Sequence, residues 1–176
     1  LVKKTYSVHP KSRQIDESEL SSRELKDILS WRPPKRKPRI YADMDVPKYL
    51  IDYARDKLKW DIFCVRENDE LMEQHDYYHF EGAKQLKRIL LSFDDAFLNN
   101  RRFKLLETDG IIVFSNPGKS QLDSLIMLIR VNDLLIDLLR RDSRAMKGIK
   151  IKMTTTGFTL KTLSESSQKI SKFILW

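Results

Sequence analysis

The 176-residue sequence predicts an α/β protein, a three-layer α/β/α sandwich around a mainly parallel sheet, with an N-terminal helical extension. Three observations predict it. From Arg39 onward, short apolar runs alternate with stretches of helical periodicity, as a parallel sheet with helical crossovers requires. The runs themselves alternate only weakly, as expected of strands covered on both faces. Finally, Asp43 and Asp94 each close such a run, at the strand ends where open α/β sheets bind ligands.

Residues 1–38 are expected to form an arm. The first fifteen show no periodicity. From Ser21 to Trp31, Ser21 and Glu24 have capping-box spacing, and Leu25, Ile28 and Leu29 recur at helical intervals. Pro33-Pro34 stops that helix. The basic run from Arg32 to Arg39 is then either a solvated linker or a tether that touches a phosphate backbone. The main domain is expected over 39–162. Its first strand is 39–43, and a helix over 46–58 follows. Pro47 stands in the first turn of that helix, where a missing N–H is harmless. Leu50, Ile51, Ala54 and Leu58 face one way along it.

A second strand at 61–65, a helix at 76–87 and a third strand at 89–93 continue the alternation. Residues 95–106 have room for a helical turn. Ile111 to Phe114 is the fourth strand, and Ser120, with Asp123 three residues on, opens a long helix over 121–141. Ile149–Met153 and Phe158–Thr162 flank Thr155-Thr156-Gly157 and predict a hairpin at a sheet edge, its alternate lysines protecting that edge. Residues 163–176 are expected to be a C-terminal tail.

Composition bounds the function classes. Apolar residues make up 41% and charged residues 33%, ordinary for a soluble globular protein. No apolar run approaches the roughly 20 residues that span a bilayer, so no membrane partner is expected. Leu1-Val2-Lys3-Lys4-Thr5-Tyr6 has no signal-peptide core. Cys64 is the single cysteine, so no internal disulfide can form and a reducing cytoplasm is the expected location. The net charge of +8 attracts phosphate polymers, anionic lipids and acidic partners alike.

The candidate chemistry lies in the acids. Asp43 and Asp94 sit at strand ends, Asp76 opens a helix, and Asp45 and Asp95 are neighbours able to approach the same mouth. Gathered carboxylates repel each other unless a cation joins them, which points to a hard-metal site. Each acid also has a structural reading, because Asp45 and Asp76 can cap the helices beside them. Lys48, Arg101 and Arg102 are candidates to steer phosphates. Arg101-Arg102 is equally a solvated turn.

Other motifs carry less. Gly118-Lys119-Ser120 ends like a P-loop, but Val113 stands where the loop needs glycine. His75 and His79 lie four apart without a third ligand, so the acids favour a hard cation over zinc. Tyr77, Tyr78 and Phe80 are expected to pack, with an exposed one able to stack a base.

Several segments resemble one family. Asp43-Met44-Asp45-Val46-Pro47 resembles the opening Asp-Glu-Asn-Leu-Pro of the small PIN-like proteins related to the Mut7-C ribonucleases. His75-Asp76, followed by Phe80 and Ala83, is similar to that family's acid-led second motif. Leu91-Ser92-Phe93-Asp94-Asp95-Ala96-Phe97 resembles its Thr-x-Asp-x-Asp-Phe motif, and Gly110-Ile111-Ile112-Val113 its next strand. The resemblance covers residues 39 to 140.

It implies a PIN-like fold in which Asp43, Asp76 and Asp94 are catalytic and, with Asp95, hold Mg²⁺ or Mn²⁺ to hydrolyse RNA phosphodiester bonds. Ser92, Lys48, Arg101 and Arg102 would bind the substrate. Some relatives look like toxins of toxin–antitoxin pairs, so RNA and an antitoxin or other protein are the implied partners, and a homo-oligomer is compatible with them. Ser92 in place of Thr keeps the hydroxyl. Ala96 stands where the family has a further acid, with only Asp95 next to it to compensate. The alternative is therefore a catalytically degenerate module that binds RNA or protein. A minor one is a haloacid dehalogenase-like phosphatase, whose first motif Asp43-x-Asp45 resembles, although that family spreads its later motifs over separate elements.

Overall fold

A computed structural model of the chain describes residues 37–115, 120–164 and 167–173. The chain divides into two compact units, Leu1–Pro33 and Pro34–Trp176. The expected helix at 21–31 and most of the arm lie outside the described residues, as do Gly118 and Lys119.

Five apolar runs form the parallel part of the sheet: β1 (Arg39–Ala42), β2 (Asp61–Cys64), β3 (Ile89–Ser92), β4 (Ile111–Phe114) and β5 (Ile149–Thr154). Two antiparallel strands, β6 (Gly157–Ser164) and β7 (Ser167–Phe173), extend it. The order across the sheet is β2-β1-β3-β4-β5-β6-β7. The helices are α1 (Lys48–Asp56), α2 (Asp69–Met72), α3 (Asp76–Gln85) and α4 (Gln121–Arg141), with 3₁₀ turns at Val65–Glu67, Asp95–Leu98 and Leu105–Glu107.

Successive strand residues point to opposite faces, and both faces are covered. Ile40, Ala42, Leu91, Ile112, Phe114, Ile151 and Met153 pack with Leu50, Ile51 and Ala54 of α1 and with Met127, Leu128, Val131 and Leu135 of α4. Tyr41, Leu90, Ile111 and Val113 pack on the other face with Phe80 and Ala83 of α3 and with Phe97 and Phe103 of the 95–105 segment. The register keeps apolar residues abreast, as in Ile40 beside Ile62 and Ile89, and Ile112 beside Leu91 and Ile151. β1, β3 and β4 are therefore apolar on both sides, which is why their sequences lack strict alternation. The predicted α/β class and its layers follow from this.

Several boundaries differ from expectation. Pro47 is the N-cap residue of α1 rather than part of its first turn. The one-turn helix α2 was not expected. The hairpin 149–162 exists but is not a sheet edge, because β5 pairs with β4 on one side and β6 on the other. Its Lys150 is fully buried. The presumed tail supplies β7, and that strand is the true edge on this side.

Two tight spots join the layers. Gly110 has φ +127°, and a Cβ there would lie 2.9 Å from Cβ of Met146. No other residue fits that backbone. Trp60, ahead of β2, donates from Nε1 to Oδ1 of Asn132 on α4 at 2.9 Å, satisfying two buried polar groups at once.

Candidate functional site

The strand order reverses between β1 and β3, since β1 leads to β2 on one side and β3 begins the other. A crevice at the carboxyl ends of these two strands is the usual ligand site of such a sheet. Asp43 follows β1, Ser92 ends β3, and Asp94 lies two residues beyond it. Both strand-end acids thus stand at the carboxyl end of adjacent strands.

Local hydrogen bonding then draws in Asp45, which the sequence offered both as a neighbour of this mouth and as a helix cap. The backbone turns sharply after β1, with the Val46 N–H donating to the Asp43 carbonyl at 3.2 Å. This turn carries the Asp45 side chain across to β3 instead of down onto α1. Its Oδ2 accepts from the Phe93 N–H at 2.8 Å and lies 2.9 Å from Oγ of Ser92. The helix cap expected of Asp45 is therefore not made, and α1 has no side-chain cap bond. Only the repeat Asp43-x-Asp45 signalled this in sequence, and a cap explains that pattern equally well.

Ser92 is the hub. It is fully buried, and its Oγ lies 3.0 Å from Oδ2 of Asp43 and 2.9 Å from Oδ2 of Asp45, while accepting from the Asp94 N–H at 3.0 Å. A serine has one hydroxyl proton to donate. It cannot satisfy two carboxylates at once. Consistently, the Asp45 carboxyl is pushed up to about 6 by burial and by the charge of Asp43, against the hydrogen bonds from Ser92 and Phe93. Its Oδ1 is buried with no hydrogen-bond partner among the described residues. Asp43 itself is buried and accepts from the Met44 N–H at 2.8 Å through Oδ1.

The remaining predicted residues fall around this group rather than in it. Asp94 accepts from the Ala96 N–H at 2.8 Å and so caps the 3₁₀ turn that follows. Asp95 is held by Oγ of Ser115 at 2.8 Å and Nζ of Lys152 at 3.0 Å. Asp76 starts α3 as its first residue, not as its cap, and pairs with Arg102 at 3.3 Å. Arg102 also lies over the Phe103 ring. Lys48 pairs with Asp52 at 2.8 Å, and Arg101 is exposed. Of the two histidines, His79 is buried, with Nδ1 3.0 Å from the Tyr41 hydroxyl, while His75 is exposed. Phe80 packs as expected, whereas Tyr77 and Tyr78 are both exposed.

Among the described residues, no group of three or more His, Cys, Asp or Glu side chains is arranged to hold a metal ion. Mg²⁺ does not need such a cage, since it commonly uses one or two carboxylates and keeps water and substrate oxygens as its other ligands. The Asp43–Asp45 pair fits that mode. The carboxylates converge, their donors are hard oxygens, and the unpartnered Oδ1 of Asp45 is available for a cation. Asp76 and Asp95 already face cationic side chains.

Compared with protein-family models, curated proteins and solved structures, the chain matches none of them. No helix among the described residues is long and apolar enough to cross a membrane.

Proposed function

We propose that this chain is a Mg²⁺- or Mn²⁺-dependent ribonuclease of PIN-like type, hydrolysing phosphodiester bonds at the β1–β3 crevice. The observation that carries the reading is the pair Asp43 and Asp45 converging on the single hydroxyl of Ser92. Two acids held this way repel each other, and a divalent cation relieves the repulsion. When bound, such a cation supplies Lewis acidity toward a phosphate oxygen and acidifies water beside it.

The residues themselves do the positioning. Asp43 and Asp45 would hold the cation, and Ser92 would fix the direction of both carboxylates. Asp94, tied to Ser92 through its N–H, would bring a third acid to the rim and align the attacking water. Arg101 and Arg102, on the segment that follows β3, would draw the phosphate backbone toward the acids. The positive net charge favours an RNA substrate. A toxin-like role with an antitoxin partner rests on the sequence resemblance alone.

The test is cleavage of single-stranded RNA with Mn²⁺ against EDTA, in the wild-type protein and in Asp43→Asn and Asp94→Asn. Metal-dependent cleavage should fall at least about tenfold in both variants. Mn²⁺ should also raise the melting temperature of the wild-type protein more than that of Asp43→Asn. A second reading, a binding module without catalysis, is favoured by Ala96 and by the ion pairs that occupy Asp76 and Asp95. RNA binding without metal-dependent cleavage at high protein concentration would select it.

A further inference from the structure

At the opposite end of the same strands the surface changes sign. A cleft of about 470 Å³ is lined by Lys37, Arg39, Lys87, Arg144 and Lys147. These come from three separate stretches: the approach to β1, the turn between α3 and β3, and the turn between α4 and β5. They face a single acid in the lining, Asp109. Arg39 has a partial partner in Asp61 at 3.6 Å. The other four cations make no ion pair among the described residues. Like charges gathered around one cavity repel each other, and an anion entering it would remove that repulsion. Lys37 and Arg39, the last two cations of the basic run noted in the sequence, line the cleft beside three further cations.

The floor of the cleft is apolar, formed by Ile89, Leu139 and Met146. An apolar floor beneath a cationic rim suits a ligand with phosphates on a flat organic group. The volume lies within the range of roughly 300–1,000 Å³ usual for small-molecule sites. Four-residue strands rise about 3.3 Å per residue, which places this cleft roughly 13 Å from the acid crevice. It is a separate site, with no residue in common with the acid group.

We propose that this cleft binds nucleotide phosphates, either of a free nucleoside polyphosphate or of an RNA strand. The probe is ATP in EDTA, which keeps the acid crevice free of metal, titrated by calorimetry at low salt. Arg144→Glu and Lys87→Gly should each weaken binding about tenfold, while Lys57→Glu, outside the cleft, should change it less than about twofold. Lys87 has φ 52°, a conformation that glycine adopts without cost. Lys87→Gly should therefore keep or raise the melting temperature, which separates lost binding from lost folding.

Asp43→Asn should leave ATP binding unchanged. A short single-stranded oligoribonucleotide that displaces ATP, and weakens in the same variants, identifies the strand as the source of the phosphates. ATP binding that RNA does not displace identifies the free nucleotide. Absence of ATP binding at millimolar concentration, or equal binding by wild type, Arg144→Glu and Lys87→Gly, overturns the proposal.

Discussion

Asp45 concentrates the chemistry of the crevice in one side chain. Its folded-state value of about 6 lies above the ordinary 3.8 because burial and Asp43 both oppose its charge. The folded chain therefore holds this proton more tightly than the unfolded chain. Stability from this group is greatest below about pH 4, falls as the pH rises toward 6, and stays low above it. Asp45→Asn removes the penalty. It should stabilise the metal-free protein by about 1–2 kcal/mol at pH 7, less than the full shift implies because water partly screens the site. Urea denaturation at pH 7 and pH 4 checks this, with the gain shrinking at the lower pH. An equal gain at both would mean that the substitution acts through packing instead.

At the scale of elements, β5 organises the segment that follows β3. Alternation along β5 puts Ile149, Ile151 and Met153 toward α1 and α4, and sends Lys150 and Lys152 to the other face. Lys152 reaches Asp95 there. Lys150 is fully buried, and its ammonium donates to the carbonyls of Phe97, Phe103 and, at 3.4 Å, Asn99. It is thus a clamp on the turns that carry Arg101 and Arg102. Burial, and next Lys161, push its amine down to about 8. This group's proton is held less tightly in the folded chain, so stability should rise as the pH passes from about 8 to 10.5. Lys150→Met keeps the bulk and deletes the donor. It should cost about 2–4 kcal/mol, since several buried carbonyls lose their partner. Hydrogen exchange should quicken at residues 97–105 more than in the strands. Uniform quickening would count against the clamp.

Across the sheet, the pairing changes from parallel at the centre to antiparallel at the β6–β7 side. Among the described residues, β7 pairs with the sheet through β6. A chain ended at Ser164 should keep cooperative unfolding, with a modest loss in melting temperature. A chain ended at Lys147 also loses Lys150, Ile151 and Met153, and should unfold without a sharp transition in guanidinium. Retention of a sharp transition by the shorter chain would show that β5 is not needed for the core.

Much of this architecture is legible in the residues alone. The alternation of apolar runs with helical periodicity is local, so the four strands from Arg39 to Phe114, α1, α3 and the Ser120-capped α4 stand close to where the sequence places them. The apolar character of each run also announces burial on both faces. Asp43 and Asp94 are legible as strand-end acids because a strand's carboxyl end is a local property. Three matters depended on long-range pairing. The strand order decided that Asp43 and Ser92 meet at a crevice. The turn after β1, completed by the Phe93 N–H across the gap, decided that Asp45 joins Asp43 and that its cap role is lost. The neighbours on both sides of β5 decided that Lys150 is a buried clamp instead of an edge guard. A hydrogen bond to a distant strand leaves no periodicity in its own segment, and for that reason the acid pair and the buried lysine emerged only from the assembled sheet.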